Sequence, residues 1–337
     1  MMKNLDLLVE SYNYSLPKEL IATYPVTPRD SAKLLVYNRK NGEIIHTTFN
    51  KILDFIGDSH FIFNDTKVVK ARIFGKKETG GKIELLLNRP FENNFLVYIR
   101  GKVKIGTKLF FENGLIGEVI QLNNDGSRVV SFFKDSKKLD FLELVNILNQ
   151  IGHIPLPPYI NREDEKLDEE EYQTKFAKNY GAVAAPTASL HFTDELLNRI
   201  KNKHFLTLHV GAGTFKPVEV ESILEHNMHS EFFEIPEETS KILDSKIDIV
   251  AVGTTATRTI EYYARTKKMV GECNLFLHPQ NKPIRVNKLI TNFHLPKSTL
   301  IMLVSSFIGR EKSLELYEIA IKEGYRFYSY GDAMLII

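Results

Sequence analysis

The stretch TLHVGAGTFKP, residues 207–217, decides the fold predicted for this chain. Residues 205–210 have the β-branched and aromatic content of a buried strand, and Gly211 and Gly213 follow directly after it. Glycine lets backbone N–H groups come close to a ligand, because it has no side chain in the way. The stretch therefore predicts a strand that ends in a binding loop.

The same arrangement recurs twice in the C-terminal half. The apolar run 247–252 leads into Gly253-Thr254-Thr255 and then into a helical pattern at 256–267. The segment TNFHLPKSTL, residues 291–300, lies between the strand-like 288–290 and the apolar run 301–307. Ligands of open α/β sheets bind outside the carboxyl ends of the strands. Three such junctions predict one pocket at that edge of the sheet.

Each junction also has a purely structural interpretation. A Gly-x-Gly without a third glycine at the right offset is explained equally well by a turn. Thr254 or Thr255 could serve only as a helix cap, and Asn292 and His294 could close a turn before Pro296. The recurrence of one strand-to-polar-loop design favours a site.

The composition is that of an ordinary globular protein. With 337 residues the chain can form two domains, or one large domain with an insertion. Hydrophobic content is 43% and charged content 26%, and no apolar run is long enough to span a bilayer. Residues 1–14 contain acidic side chains and no cleavage site of the secretory type. One cysteine, Cys273, excludes an internal disulfide, so we expect a cytoplasmic protein. We also expect a monomer.

The net charge of +2 conceals a basic segment. Residues 64–108 contain eleven Lys and Arg against four Asp and Glu, a surplus of seven. Such a surplus can hold a polyanion through phosphate contacts, or it can be a solvated surface. The acidic run 163–171 has contiguous rather than spaced carboxylates, which indicates an exposed loop or helix start. His226 and His229 have no third ligand at zinc-like spacing, so no metal is expected.

Short alternating runs between residues 66 and 140 predict a small antiparallel β-barrel. Six runs, separated by Gly and Asn turn signals, cover residues 68–74, 82–88, 95–100, 108–112, 117–121 and 128–133. Their basic surface makes RNA a natural partner. Residues 141–151 are amphipathic and helical, and the proline-rich segment 152–159 returns the chain to the first domain.

Outside the barrel the patterns predict several simpler elements. A short helix is expected at 17–22, a hairpin from 33–38 and 43–48, a strand at 60–64 and a helix at 194–203. The small-residue segment 181–192 suits a backbone that lies close to a ligand or a neighbouring helix.

Assembled, these segments resemble the S-adenosylmethionine:tRNA ribosyltransferase-isomerase family of queuosine biosynthesis nearly end to end. The stretches that carry the resemblance are Tyr24-Pro25, 29–35, 63–68, Ala71-Arg72, 80–84, 151–159, 181–187, 190–192, 208–215, 228–231, 251–255, 291–296 and 330–334. One departure is the loop 278–283, where the family usually has glycine after the proline and an aromatic residue a few positions on. The departure affects expectations for this loop only.

The resemblance implies a fold and a reaction. The fold is α/β, with an α/β-barrel-like catalytic domain from residues 1–64 and 152–337 and an inserted six-stranded antiparallel β-barrel from residues 65–151. The reaction moves the ribosyl part of S-adenosylmethionine onto 7-aminomethyl-7-deazaguanine at the tRNA wobble position and isomerises it to an epoxycyclopentane, giving epoxyqueuosine-tRNA. Adenine and methionine are released. S-adenosylmethionine is then a consumed substrate, and no cofactor is expected.

The chemistry of that reaction assigns candidate roles to residues. The sulfonium acidifies the C5′ hydrogens, so a general base near them can form an ylide. The candidates for this base, left unranked, are His209, His229, Glu231, His294 and Asp332. S-adenosylmethionine would contact Gly211, Gly213 and Thr214 through its nucleoside, and Gly253, Thr254 and Thr255 through its carboxylate at a helix N-terminus, with Arg258 one turn further in. The deazaguanine edge and the tRNA phosphates would take Asn292, Arg72, Lys76 and Lys77.

Two other classes of function stay open on the sequence. A non-catalytic RNA-binding protein would use the basic barrel and leave the glycine loops structural. An S-adenosylmethionine-dependent methyltransferase would also accommodate a basic region and glycine loops, and would leave S-adenosylhomocysteine instead of adenine and methionine.

Overall fold

The structure, a computed structural model, describes residues 4–215 and 218–337, with the side chains of Thr214 and Phe215 excepted. Within these ranges the chain forms eighteen β-strands and seven α-helices. The strands are β1 Lys33–Tyr37, β2 Ile44–Thr48, β3 His60–Asn64, β4 Thr66–Val68, β5 Arg72–Lys77, β6 Lys82–Phe91, β7 Asn94–Arg100, β8 Lys108–Phe111, β9 Ile116–Leu122, β10 Arg128–Lys134, β11 Lys137–Lys138, β12 Asn179–Ala182, β13 Lys203–Leu208, β14 Glu231–Glu234, β15 Ile249–Val252, β16 Val270–Cys273, β17 Lys288–Asn292 and β18 Ala333–Ile336. The helices are α1 Phe141–Ile151, α2 Lys166–Glu171, α3 Asp194–Arg199, α4 Glu237–Asp244, α5 Thr254–Thr266, α6 Thr299–Ile308 and α7 Arg310–Lys322.

A nine-stranded mixed sheet is the frame of the main domain. Its strand order is β16-β14-β13-β3-β15-β17-β18-β1-β2. Strands β13, β3, β15 and β17 run parallel to one another, so their carboxyl ends lie at the same edge. Along β15, Ile249 and Ala251 enter one hydrophobic core while Val250 and Val252 enter another. The sheet is buried on both faces, as its continuous apolar strands require.

The inserted barrel is closed and antiparallel. Strands β5 to β10 pair around it, and β10 closes it by pairing with both β7 and β9. Alternate side chains such as Ile83, Leu85 and Leu87 of β6 point into a separate hydrophobic core. Helix α1 packs on this core and begins at Phe141 because Asp140 and Glu143 form a capping box.

The chain enters and leaves the barrel at one place. Arg72 at the start of β5 pairs with His153 just after α1. Between them the backbone is so close that a Cβ at Gly152 would lie 2.1 Å from the Lys70 carbonyl oxygen. Only glycine fits this crossing. The crossing supports the division of the chain into 1–64 with 152–337 and 65–151, which we keep as a proposal.

The sequence-based fold class is confirmed, and some element boundaries need correction. The expected strand 68–74 is two strands, because Val68 ends β4, which pairs with β12, and β5 starts only at Arg72. The helix expected at 194–203 ends at Arg199, and β13 begins at Lys203. The 17–22 segment forms a single 3₁₀ turn at Lys18–Leu20. Among the described residues no helix is long and apolar enough to cross a membrane.

Candidate active site

Polar residues follow four parallel strands at one edge of the main sheet. Asn64 ends β3, His209 follows β13, Gly253 follows β15, and Asn292 ends β17. Because these strands are parallel neighbours, the loops after them converge, as the three sequence junctions predicted.

Asn64 holds this edge together, and sequence analysis did not select it as a site residue. Its side-chain oxygen accepts from the backbone N–H groups of Leu208 (3.0 Å) and Thr66 (3.2 Å). Its amide donates to the Leu208 carbonyl (2.9 Å) and to the Thr255 hydroxyl (3.2 Å). One fully buried side chain thus ties β3 and β13 to the start of α5. Its position at the end of a predicted strand was the signal that could have identified it.

The first cavity at this edge, here called the inner cavity, has a volume of about 250 Å³. Gly253, Thr254, Thr255, Asn292 and His294 line it, together with aromatic residues that include Tyr159 and Tyr328. Gly253 begins α5 at φ +91°, a conformation that favours glycine, and no described side chain caps the helix. The N–H groups of the first turn therefore remain available to a ligand in this cavity.

Asn292 brings an unmatched hydrogen-bond acceptor to the inner cavity. The residue is 1% exposed, and its amide group donates to His191 Nε2 and to the Tyr328 carbonyl, both at 3.2 Å. Its Oδ1 has no partner among the described residues. A buried acceptor without a donor costs free energy, so a ligand donor at this point would be stabilised.

Two buried histidines near Asn292 are neutral. His294 Nε2 lies 2.7 Å from the Thr291 hydroxyl, and His191 accepts from Asn292. Burial lowers the pKa of His294 to about 3, and burial with the nearby Arg326 lowers the pKa of His191 to about 3 as well. So low a pKa makes His294 a weak general base at neutral pH.

These lowered pKa values predict that acid destabilises the fold. In the unfolded chain both imidazoles take up protons as the pH falls through about 6.5, whereas in the folded chain they do not until about pH 3. The unfolded state binds more protons in between, so the free energy of unfolding should fall by about 2 kcal/mol per histidine from pH 7 to pH 5. Urea unfolding of wild type and His294→Gln at both pH values tests this. An equal pH dependence in the two proteins would contradict it.

The second cavity, here called the barrel cavity, lies between the barrel and the main sheet and has a volume of about 670 Å³. The main sheet side contributes residues that include His209, Gly211, Gly213, His229 and Glu231. The barrel side contributes Asn88, Arg89 and Tyr98. Asn88 Oδ1 accepts from Ala212 N–H at 3.0 Å, so the barrel fixes the glycine loop directly. No sequence signal pointed to Asn88.

A buried ion pair orients the acidic group of the barrel cavity. Glu231 is 2% exposed at its side chain, and its Oε2 accepts from Arg258 at 2.5 Å. Its Oε1 accepts from Gly211 N–H at 3.0 Å and lies 3.5 Å from His229 Nε2. Burial alone would raise the pKa of Glu231, but Arg258, His229 and Gly211 outweigh burial and hold this pKa at about 2. The carboxylate is therefore charged and lies beside His229, whose Nε2 makes no hydrogen bond to a described residue.

Close packing fixes the two other histidine contacts of this cavity. A Cβ at Gly213 would lie 2.9 Å from the His229 ring, and one at Gly181 would lie 2.6 Å from the His209 ring. His209 Nδ1 lies 2.8 Å from the Thr66 hydroxyl, and burial lowers the pKa of His209 to about 4. Gly181 and Gly213 are thus needed for the packing of these two imidazole rings. The side chain of Thr214, a predicted contact, lies outside the described residues.

The single pocket expected from the sequence is two cavities that share a wall. Val210 lines the inner cavity and Gly211 lines the barrel cavity. At the start of α6, Ser298 and Leu300 line the inner cavity while Thr299 lines the barrel cavity. The predicted site residues are therefore divided between the two cavities. Asn292 lines the inner cavity with the N-terminus of α5, whereas Gly211 and Gly213 line the barrel cavity.

Two residues predicted to act on S-adenosylmethionine, Arg258 and Asp332, line neither cavity. Arg258 donates to the carbonyls of Leu275 (3.0 Å) and Cys273 (3.2 Å) as well as to Glu231, so its guanidinium is held in the interior. Asp332, 2% exposed, accepts from the backbone N–H groups of Lys33 (2.9 Å) and Arg326 (2.7 Å). The structure thus places Arg258 against Glu231 and Asp332 against backbone N–H groups near β18, and their roles at the substrate stay predictions.

The predicted tRNA contacts lie on the barrel. Arg72 is half-buried and paired with Glu84 (2.7 Å) and Glu163 (3.0 Å). Lys77 donates to the Lys102 carbonyl at 3.1 Å, and Lys76 is exposed. None of these three residues lines the two cavities at the sheet edge. Among the described residues no group of three or more His, Cys, Asp or Glu is placed to hold a metal ion.

The fold and the cavities define an α/β enzyme with a barrel inserted beside its site, and comparison with known proteins places it further. The family model described as "Queuosine biosynthesis protein" matches residues 9–336. A relative from Aliarcobacter butzleri (strain RM4018), named S-adenosylmethionine:tRNA ribosyltransferase-isomerase, is 67% identical over 98% of this chain and 99% of its own length. A relative of the same name from Campylobacter jejuni (strain RM1221) is 62% identical over 99% of this chain and 100% of its own.

A solved structure agrees with these relatives. The crystal structure of S-adenosylmethionine tRNA ribosyltransferase from Thermotoga maritima matches with a TM-score of 0.54 at 33% identity, over 97% of this chain and 100% of that one. The chain belongs to the queuosine biosynthesis protein family.

Proposed function

We propose that this chain is an S-adenosylmethionine:tRNA ribosyltransferase-isomerase that acts on 7-aminomethyl-7-deazaguanine at the tRNA wobble position and makes epoxyqueuosine-tRNA, adenine and methionine. The names of its relatives support the reaction class over the whole chain. The observation that carries the proposal is the pair of adjoining cavities, one with a free helix N-terminus and one with an oriented His–Glu pair.

The inner cavity suits the methionine end of S-adenosylmethionine. The first-turn N–H groups of α5, at Thr254 and Thr255, favour a carboxylate through hydrogen bonds and the helix dipole. The unmatched Oδ1 of Asn292 is an acceptor for the α-ammonium group. We therefore reassign Asn292 from the deazaguanine base to methionine. At about 250 Å³ the inner cavity is smaller than the roughly 300–1,000 Å³ of typical ligand pockets, which fits a site for part of the substrate.

The barrel cavity would hold the ribose, the adenine and the incoming base. Its volume of about 670 Å³ is sufficient, and Val210 and Gly211 form the wall between it and the inner cavity. S-adenosylmethionine bound across this wall would present its sulfonium and C5′ near His229 and Glu231.

His229 is our choice for the general base. An imidazole is the side chain that general-base catalysis uses most often, and the Glu231 carboxylate favours the imidazolium that forms. A cyclopentane made from the five ribose carbons needs a new bond between C1′ and C5′. Removal of a C5′ proton leaves an electron pair that can form this bond as the C1′–N9 bond breaks and adenine departs. Burial lowers the pKa of His209 to about 4 and that of His294 to about 3, which makes these two histidines weak bases.

The proposed macromolecular substrate is tRNA, and the proposed small-molecule substrate is S-adenosylmethionine. The basic surplus of residues 64–108 lies on the barrel, beside the barrel cavity, where phosphates of a bound tRNA would pass. The proposal requires no cofactor, because S-adenosylmethionine is consumed.

One incubation tests the proposed function. Purified protein, S-adenosylmethionine and tRNA bearing 7-aminomethyl-7-deazaguanine should yield free adenine, free methionine and a nucleoside heavier by a dehydrated ribosyl unit, read by mass spectrometry. tRNA with guanine at the same position is the matched control and should yield none. S-adenosylhomocysteine would indicate methyl transfer instead, and tRNA binding without turnover would indicate an RNA-binding protein.

The Asp332→Asn variant should be less stable but still active. The amide cannot accept from both Lys33 and Arg326 N–H groups, so unfolding should require about 1–3 kcal/mol less free energy. Turnover per folded molecule should stay near wild type, because Asp332 lines neither cavity. Urea unfolding and the adenine-release assay measure both effects. A loss of turnover of about a hundredfold, as removal of a general base causes, would restore Asp332 as a candidate base.

A further inference from the structure

Aromatic rings and lysines alternate on the outer face of the barrel. Phe74 on β5 is 43% exposed and Phe110 on β8 is 39% exposed. Lys76 lies directly opposite Phe110 on β8 and directly opposite Lys82 on β6. Outward residues of neighbouring strands share one face, so these four side chains form one patch, here called the outer track.

The outer track carries positive charge that the protein leaves uncompensated. Like charges directly opposite each other on neighbouring strands, such as Lys76 and Lys82, destabilise a sheet. Within the described ranges neither lysine has an ion-pair partner. Arg72 and Arg100 on the same face are paired with Glu84, at 2.7 and 3.3 Å, and are thereby oriented. An anionic partner would remove the repulsion between the two lysines.

A groove connects the outer track to the barrel cavity. The groove has a volume of about 750 Å³ and lies between the barrel face and the proline loop 155–158. Arg72, Glu84 and Arg100 of the barrel face line it, while Tyr98 lines both this groove and the barrel cavity. Ala212 lines the groove next to Gly211 and Gly213 of the barrel cavity. The four residues of the outer track do not line the groove themselves. Arg72 joins the two, because it lines the groove and its guanidinium lies 4.8 Å from the centroid of the Phe74 ring.

We propose that the outer track binds single-stranded RNA, namely the nucleotides that flank the modified nucleotide of the tRNA substrate. Single-stranded RNA is bound by aromatic side chains that stack on bases and by cations that follow the backbone. Phe110 and Phe74 supply the stacking faces, although the Arg72 guanidinium lies over one face of the Phe74 ring, 4.8 Å from its centroid, and His153 packs against that ring at 5.3 Å. Lys76 and Lys82 supply the cations. The inference rests on the proposed function for the identity of the RNA.

The outer track lies at a distance from the candidate active site. Lys82 begins β6 and Asn88, six residues on, lines the barrel cavity, so the two ends are about 20 Å apart along the strand. A duplex presents no free base faces, so stacking on Phe74 and Phe110 requires unpaired nucleotides. The outer track therefore selects a loop rather than a stem.

Equilibrium binding of the tRNA substrate to matched variants tests the outer track. Phe74→Leu and Phe110→Leu keep apolar volume but remove the aromatic face, and each should weaken binding about tenfold without changing its salt dependence. Lys76→Ala with Lys82→Ala should weaken binding and reduce the slope of log K against log salt by about 0.7–0.9 per lysine. Ile284→Ala and Lys246→Ala, exposed positions of the main domain, are the controls and should bind as wild type.

The outcomes distinguish failure of the outer track from failure of the proposed function. The two leucine variants and the double lysine variant could all bind tRNA with wild-type affinity and wild-type salt dependence. That result would overturn the outer track as an RNA site, even if the wild-type enzyme turns over normally. The variants could instead bind tRNA more weakly while the wild-type protein releases no adenine. That result would support the outer track as an RNA site and contradict the proposed reaction. Phe74→Ala and Phe110→Ala, with unfolding midpoints measured alongside, repeat the test independently of the leucine side chain.

Discussion

Replacing His229 by alanine should lower turnover by about a hundredfold or more while S-adenosylmethionine and tRNA still bind, because the general base is lost. The imidazole lies 3.5 Å from the Glu231 carboxylate and lines the barrel cavity. Adenine release at saturating substrates measures the loss, and equilibrium binding of each substrate shows that the site is intact.

His226→Ala is the matched control for this prediction. His226 lies on the same loop and lines the same cavity, but its ring packs against Phe276 with centroids 5.6 Å apart. It should keep most of the activity. If His226→Ala loses as much turnover as His229→Ala, or if His229→Ala stays near wild type, His229 is not the base.

Replacing Arg258 by methionine should destabilise the fold by about 3–5 kcal/mol, because Glu231 is left as a buried charge without its partner. Turnover should fall as well, since Glu231 then no longer holds its position between Gly211 and His229. Urea unfolding and adenine release are the measurements. Lys267→Met is the control, because Lys267 forms a largely exposed pair with Asp244, of a kind worth about 0–1 kcal/mol.

A double variant separates stability from function at this pair. Arg258→Met combined with Glu231→Leu removes both charges, and should recover much of the lost stability, as apolar replacements of buried ion pairs often do. It should not recover turnover, because His229 then has no carboxylate beside it. Recovered turnover in the double variant would mean that the ion pair is only structural.

Local patterns in the sequence predicted the strands, turns and helices that form between residues close together in the chain. The hairpin of β1 and β2 and the six barrel strands follow from alternation and turn residues, and helix α1 follows from its amphipathic pattern. Strands β13, β15 and β17 were expected from their apolar, strand-like content, and a polar loop follows each of them. That all three loops lie at one edge of the sheet followed from the rule for parallel strands.

The pairings that divide the site were not visible in the sequence. Arg258 was predicted to contact the substrate because it lies one turn into α5. Its partner is Glu231 on β14, a separate strand of the sheet. Asp332 was a candidate base, but its carboxylate accepts from the backbone N–H groups of Lys33 and Arg326. Asn88 joins the site only because the barrel folds onto the glycine loop. Such contacts depend on how elements pack, which no local spacing encodes.

The most direct test of the central claim uses S-adenosylmethionine with deuterium at both C5′ positions. If a base in the barrel cavity removes a C5′ proton and C5′ then bonds to C1′, the modified nucleoside made by the wild-type enzyme should retain one of the two deuterium atoms, with the other lost to solvent. His229→Ala should make this product more slowly by about a hundredfold or more. A product that retains both deuterium atoms, one of them moved from C5′ to another carbon, would contradict the account, because the C5′ hydrogen would then have shifted within the substrate instead of leaving to a base.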